Sequence, residues 1–408
     1  MKNKLWTKDY TIITLGSAVS MFGNAMVGFA ISLYVLDYTK SPYLYSLYVF
    51  FYTLPQIFAP LFAGPLMDRF SRRRTIYLLD ATSASLYLIL ALLIIFGFFS
   101  FPLLATMTFV IGIINSAYLV AFNSFYPMLV SDGNYSKACS VSSTLETVSY
   151  VMVPVATFLY KAFGILPVLI ANSACFFTAA FFETRISDVE KARGEKASYS
   201  GKTYISDSLA GLRYLISEKG LLCISLFFFF SFFANGATTV LTLPWFKETY
   251  ENGEYTYMSV WFFLGVGRIL GGFFHYKWRI PAQAKFALSL FVYILSAALE
   301  GVYLFTPLMA MRGMCFVMGL CNSTAFNIRV SSTQAYVPDD HRGRFNGAFL
   351  MMTTGGTLLG ELTAGAVATV LPMRETLSIF MGVCILAALV FILGGRKHIK
   401  PIYNRKNG

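Results

Sequence analysis

Asn322, Phe326, Arg329 and Thr333 recur at i, i+4, i+7 and i+11, which lines them along one stripe of an α-helix. An arginine in such a stripe, inside a largely apolar run, either snorkels or joins a structural ion pair, or it binds an anionic solute or a titrating carboxylate. Asn115 and Phe122 make an equivalent stripe earlier in the chain, with Asn123 beside them. Asn24, Asn235 and Asn327 are the remaining amides set in apolar runs, among Phe22, Phe29, Phe229 and Phe233. Aromatic walls with sparse amides suit a bulky amphipathic solute better than a sugar, which needs many hydrogen-bond partners.

Further charges interrupt apolar segments. Glu146 and Arg268 each lie about 10–12 Å along their helices from the nearer loop, at 1.5 Å per residue. Glu300 and Arg312 stand nearly symmetrically about a short turn at Phe305–Pro307, a placement that predicts a structural ion pair between antiparallel neighbours. Glu361 lies near the middle of its apolar run with no cation at helical spacing in the sequence, and burial disfavours the charged form of an acid, so it is the first candidate for a proton-binding carboxylate. Nothing here reads as catalysis. The three histidines (His275, His341, His398) stand at the edges of apolar segments, and there is no HExxH, no paired carboxylates, no metal-ligand set and no Walker loop.

These side chains need elements to hold them, and composition says which. In 408 residues, 56% are hydrophobic and 13% charged, against roughly 25% charged in a soluble domain. Mean hydropathy is +0.62. Apolar runs of about 20 residues, enough to cross hydrocarbon as a helix, predict twelve helices near 10–36, 43–67, 75–98, 102–130, 138–160, 167–186, 221–247, 256–275, 283–305, 308–336, 345–370 and 375–395. The chain reads as an all-α polytopic membrane protein. The first helix is too long for a signal-peptide core and is expected to stay attached. The six cysteines lie in or at the ends of helices with no CxxC pair and read as small packing residues.

With twelve spans both termini share one side. Twenty-five of the 32 Lys and Arg fall in the termini and the loops on that side, Lys40, Lys161, Lys247 and Arg374 on the other, and Arg268, Arg312 and Arg329 within helices. Cationic loops stay in the cytoplasm, so both termini are expected there, in an integral cytoplasmic membrane protein. The net charge of +12 accordingly reads as topology and contact with anionic membrane lipid, not nucleic-acid binding.

The longest polar stretch separates an N-terminal bundle of six helices (1–186) from a C-terminal bundle with a basic cytoplasmic tail (221–408). The linker, 187–220, holds an expected surface helix from Tyr204 to Ser217. Gly112-x-x-Asn115-Ser116 recurs as Gly319-x-x-Asn322-Ser323, and the same offset lays Gly64 on Gly271, Arg72 on Arg279 and Asp132 on Asp339. One register across two helices and two loops is the mark of a duplication.

Gly64-Pro65-Leu66-Met67-Asp68-Arg69-Phe70-Ser71-Arg72-Arg73-Arg74 resembles the signature loop of the major facilitator superfamily, G-x-L-x-D-R-x-G-R-R, with Ser71 where that family usually has Gly. Val337-Pro338-Asp339-Asp340-His341-Arg342-Gly343-Arg344 resembles a segment of the macrolide- and siderophore-exporter branch. The resemblance implies two pseudo-symmetric six-helix bundles, with helices 1, 4, 7 and 10 lining a cavity and helices 2, 5, 8 and 11 at the bundle interface. It implies that the loop residues Gly64, Asp68, Arg69, Arg72 and Arg73 latch one state, that Arg329 faces the cavity, and that Glu146 and Arg268 pair when the cytoplasmic side closes. It also implies a carrier that works as a monomer without a cofactor, driven by a proton gradient. The leading function is export of a small amphipathic compound, a macrolide-like drug or a siderophore. Uptake of a metabolite or peptide is the alternative. A membrane-embedded enzyme or a non-transporting sensor fits the sequence less well.

Overall fold

The computed structural model describes residues 5–57, 71–131, 138, 141, 152–187, 213–277 and 280–405. Among them run α1 (Lys8–Thr39), α2 (Pro42–Thr53), α3 (Arg72–Ile95), α4 (Phe101–Phe125), α5 (Met152–Phe163), α6 (Ile165–Glu183), α7 (Lys219–Thr249), α8 (Gly253–Lys277), α9 (Lys285–Val302), α10 (Leu308–Tyr336), α11 (Asp339–Val367), α12 (Met373–Ala387) and α13 (Arg396–Tyr403). Eight of these (α1, α3, α4, α6, α7, α8, α9 and α12) are long and apolar enough to cross a membrane. Helices α10 and α11 are 29 residues each, but runs of Asn, Ser, Thr and Gly lower their hydropathy.

Local chemistry moves several boundaries from where the hydrophobic runs put them. Helix α4 ends at Phe125 and tightens into a 3₁₀ turn, Tyr126–Leu129, at Pro127, which has no N–H to donate. Helix α11 starts at Asp339 instead of 345 because Pro338 (φ −56°) stands at its N-cap, where a fixed φ suits helix entry. After Ala387, α12 widens into a π-helical stretch, Ala388–Leu393, before Gly394 and Gly395 end it. Gly97 (φ 75°) closes α3 in the left-handed conformation, and Phe98 N–H bonds back to Leu93 O at 2.9 Å, which satisfies a carbonyl of the last turn. Of the expected linker helix, only 213–217 fall among the described residues, and they are helical.

Contacts divide the chain into two compact units, Met1–Ser41 with Tyr48–Tyr204, and Pro42–Leu47 with Ile205–Gly408. Within the first, α3 packs on α6 and α1 packs on α5 and α6; within the second, α9 packs on α12, α7 on α11 and α8 on α10. The α1–α5 and α3–α6 pairs thus correspond to α7–α11 and α9–α12, the pairing a sequence repeat requires. The repeated glycines have a steric reason. A Cβ at Gly112 would come 2.6 Å from the Tyr52 carbonyl oxygen, and one at Gly319 would strike that of Leu264, so both mark backbone close approach.

Gly356 and Gly360 form a G-x-x-x-G step on α11, where a Cβ would run into the carbonyl oxygens of Phe229 and Phe233 on α7. In lipid, such close backbone contact is a main source of helix–helix attraction. Gly360→Val is expected to destabilise the second unit by about 1–3 kcal/mol, measured as a lower apparent melting temperature in detergent. A melting temperature equal to wild type would contradict this packing.

Candidate functional site

The α10 stripe is assembled in the second unit. The Arg329 guanidinium lies over three rings: Phe349 of α11 at 4.6 Å, Phe228 of α7 at 5.3 Å and Phe326 of α10 at 5.4 Å. Phe228 and Phe349 are buried and meet edge to face, and Phe228 also meets Tyr293 of α9 at 5.6 Å. Tyr293 shares a 3.0 Å hydrogen bond with Tyr403 of α13. Among the described residues no carboxylate forms an ion pair with Arg329. Its charge is met by the negative faces of rings, which leaves the planar N–H edges of a half-buried guanidinium as donors for an anionic or acceptor-rich group. Asn322 and Phe326 are exposed alongside it, Asn327 is exposed on another face of α10, and Thr333 turns its hydroxyl onto the Arg329 carbonyl at 2.8 Å.

The other predicted residues distribute as follows. Asn24 of α1 accepts from the Tyr87 hydroxyl at 3.5 Å, and Asn115 of α4 donates to the Tyr52 hydroxyl at 3.0 Å. Phe122 is buried in a core cluster with Tyr10, Ile13, Phe125 and Tyr126. Asn123 lies on α4 as well. Asn235 and Arg268 are exposed on α7 and α8, and Glu361 is buried on α11. Glu146 lies outside the described residues, as do Gly64, Asp68 and Arg69 of the signature loop.

Glu300 and Arg312 do not pair. Glu300 accepts from Thr238 of α7 at 2.8 Å, and Arg312 donates to Ser259 of α8 at 3.1 Å. Equal distance from a turn sets the height of two side chains but not their azimuth, and at 100° per residue these two leave α9 and α10 toward different neighbours.

The described half of the signature loop stitches the first unit together at one end. Arg72 donates to Met128 Sδ at 2.8 Å, and Arg73 donates to the Thr184 carbonyl at the end of α6. Ser71, the departure from the family glycine, is the N-cap of α3: its φ is −63°, and its hydroxyl accepts from Arg74 N–H. With no positive φ to accommodate, serine is a favourable residue there.

Two features escaped the sequence reading. The C-terminal segment is not a plain basic tail but an amphipathic helix, α13, whose Ile399, Ile402 and Tyr403 are buried. Their i, i+3 spacing between basic residues is the signal for it. In the first unit, Asp80, Asn172 and Glu183 are buried together with Ser17 and Ser20 of α1. Asp80 and Asn172 interrupt apolar runs and were visible as such, while Glu183 sits at a helix boundary beside Arg185, where a charge draws no notice.

A profile of the transmembrane secretion effector family matches residues 4–401. The chain belongs to that family of major facilitator transporters. It is 23% identical over 400 residues to an uncharacterized MFS-type transporter, YkuC, of Bacillus subtilis (strain 168), covering 94% of this chain and 91% of that one. It is also 23% identical over 346 residues to macrolide efflux protein A of Streptococcus pyogenes, covering 83% and 84%. Among solved structures it superposes on the nucleoside transporter NupG with a TM-score of 0.71 at 17% identity, over 94% of this chain and 98% of that one. It superposes on a variant of the peptide transporter POT with a TM-score of 0.69 at 13% identity, over 96% and 95%. The fold is therefore the all-helical major facilitator fold, and the protein is an integral membrane secondary transporter with multiple spans.

Proposed function

We propose that this secretion effector exports a small amphipathic organic compound by alternating access, in exchange for protons, as a monomer with both termini in the cytoplasm. The observation that carries the reading is the α10 wall: exposed Asn322 and Phe326 beside an arginine backed by three rings. Flat apolar area with few directional polar groups accepts large, partly apolar solutes. The likeness to macrolide efflux protein A supports the class and the direction.

Arg329 narrows the class. A guanidinium without a carboxylate partner repels a cationic drug and attracts an anion or a cluster of acceptor oxygens. Within the exporter reading, siderophore-like and anionic amphiphiles fit this wall better than cationic macrolides. Glu361 is the coupling acid proposed for the second unit, and Glu146 with Arg268 the proposed pair that closes the cytoplasmic side.

The test is a thermal-shift screen of the purified protein against siderophores, macrolides, nucleosides and peptides, followed by transport of the hits in oriented vesicles. Stabilisation by siderophore-like or anionic amphiphiles is expected, with transport out of the cytoplasmic side that responds to an imposed pH gradient. Stabilisation by nucleosides or peptides alone, with inward accumulation, would replace export with uptake.

A further inference from the structure

We propose that Asp80 of α3 and Glu183 at the end of α6 form a buried carboxyl pair in the first unit that binds the proton exchanged during transport. This rests on the proton-coupled reading above and adds to Glu361 of the second unit a proton site in the first.

The geometry begins with α1. Ser20 donates its hydroxyl to Asp80 Oδ2 at 2.8 Å. One turn away on the same helix, Gly16 leaves room for Glu183: a Cβ there would come 3.0 Å from Glu183 Oε1. The two acids therefore stack along one face of α1, about 6 Å apart in height. Asp80 is 1% exposed and Glu183 0%. Neither Glu183 oxygen has a hydrogen-bond partner among the described residues, and neither acid forms an ion pair there. A third group extends the track. Asn172 of α6 is 0% exposed, leaves both amide atoms unpartnered, and presses its Oδ1 on Gly23, the next small residue on that face of α1.

Among the described residues, none of the neighbours forms an ion pair with either acid. From α4, the Tyr118 hydroxyl donates to Ser17 Oγ at 3.4 Å. At the open end of α6, Arg73 of α3 is held on the Thr184 carbonyl, one residue beyond the acid, and Arg185 stacks on Phe181 and Phe182. Asp9 at the start of α1 accepts from Ser187 N–H at 3.1 Å. Two carboxylates sharing a site without a cation cannot both remain ionised, and an unpaired buried charge is expensive to keep. A proton is the ligand that fits: it converts an acceptor-only carboxylate into a donor and needs no coordination shell. Nothing is oxidised or reduced. One carboxylate gains a proton from one side of the membrane and returns it to the other.

The experiment uses the full-length protein, wild type and with Glu183→Gln or Asp80→Asn, each replacement a neutral mimic of the protonated acid. Infrared difference spectra of the protein in lipid should show a protonated-carboxyl C=O band that titrates with pH in wild type and is altered in both variants. In proteoliposomes, Glu183→Gln should lose uphill accumulation driven by a pH gradient and keep substrate exchange at equal pH, with an unchanged melting temperature. A band that is absent from wild type, or identical in both variants, overturns the proposal. So does gradient-driven accumulation in Glu183→Gln at the wild-type level, which leaves proton coupling standing and places it elsewhere. If wild-type accumulation ignores the pH gradient, coupling itself fails and the pair has no transported proton to carry. A variant-sensitive band would then mark the pair as a structural proton site.

Discussion

Replacing Arg329 with alanine is expected to weaken substrate binding by at least about tenfold, or 1.4 kcal/mol, while the melting temperature stays level or rises. The two halves of that result follow from one arrangement. Arg329 rests over Phe228, Phe326 and Phe349 and meets no carboxylate among the described residues. Removing it orphans no buried anion, the event that makes deleting half of an ion pair so destabilising. What goes is a cation–ring contact worth about 0.5–1 kcal/mol at an open site, set against relief from holding a charge in a half-buried apolar wall. Binding behaves differently, because the guanidinium edge is the charged donor on this wall. Arg329→Lys keeps the charge but loses the planar fork and the stacking, and should recover only a small part of the affinity. Titration of a thermal-shift hit against wild type, Arg329→Lys and Arg329→Ala decides the matter. A melting temperature that collapses in Arg329→Ala would make the residue a structural cation.

The sequence carried the architecture further than it carried the site, for reasons visible in particular residues. Hydrophobic runs and the Gly112/Gly319 register located helices and repeat because both are one-dimensional signals: a span is a length, and a close-packed glycine recurs where the same helix pair recurs. The stripe Asn322, Phe326, Arg329 was equally legible, since i+4 and i+7 spacing sets azimuth along a single helix. The partners of that stripe were not, because Phe228 and Phe349 reach Arg329 from other helices. The expected pair of Glu300 with Arg312 failed on the same ground: sequence distance from a turn says how high a side chain sits, not which way it faces. Asp80 and Glu183 are 103 positions apart and meet only through α1, so no spacing rule could join them. Tyr403 was lost in a basic tail for want of a long apolar run, although Ile399, Ile402 and Tyr403 already mark one face of a short helix.

That short helix yields the second large effect. Tyr403→Ala should destabilise the second unit by about 3–5 kcal/mol, the usual cost of truncating a fully buried aromatic side chain, and weaken substrate binding with it. Tyr403 is 0% exposed, its hydroxyl bonds that of Tyr293 at 3.0 Å, and its carbonyl accepts from Ser332 at 3.4 Å. Tyr293 in turn stacks on Phe227 at 4.5 Å and meets Phe228 at 5.6 Å, and Phe228 is one of the rings beneath Arg329. Removing the ring opens a cavity next to Tyr293 and frees it to shift, so the Phe228 wall loses its backing. Tyr403→Phe deletes only the hydroxyl and leaves Tyr293 without its partner, a loss of about 1 kcal/mol, and the wall stays in place. The expected order is therefore wild type, then Tyr403→Phe close below it, then Tyr403→Ala far below, in both melting temperature and affinity. If Tyr403→Ala lowers the melting temperature but binds substrate as tightly as wild type, α13 is a brace for the bundle and has no hold on the Arg329 wall.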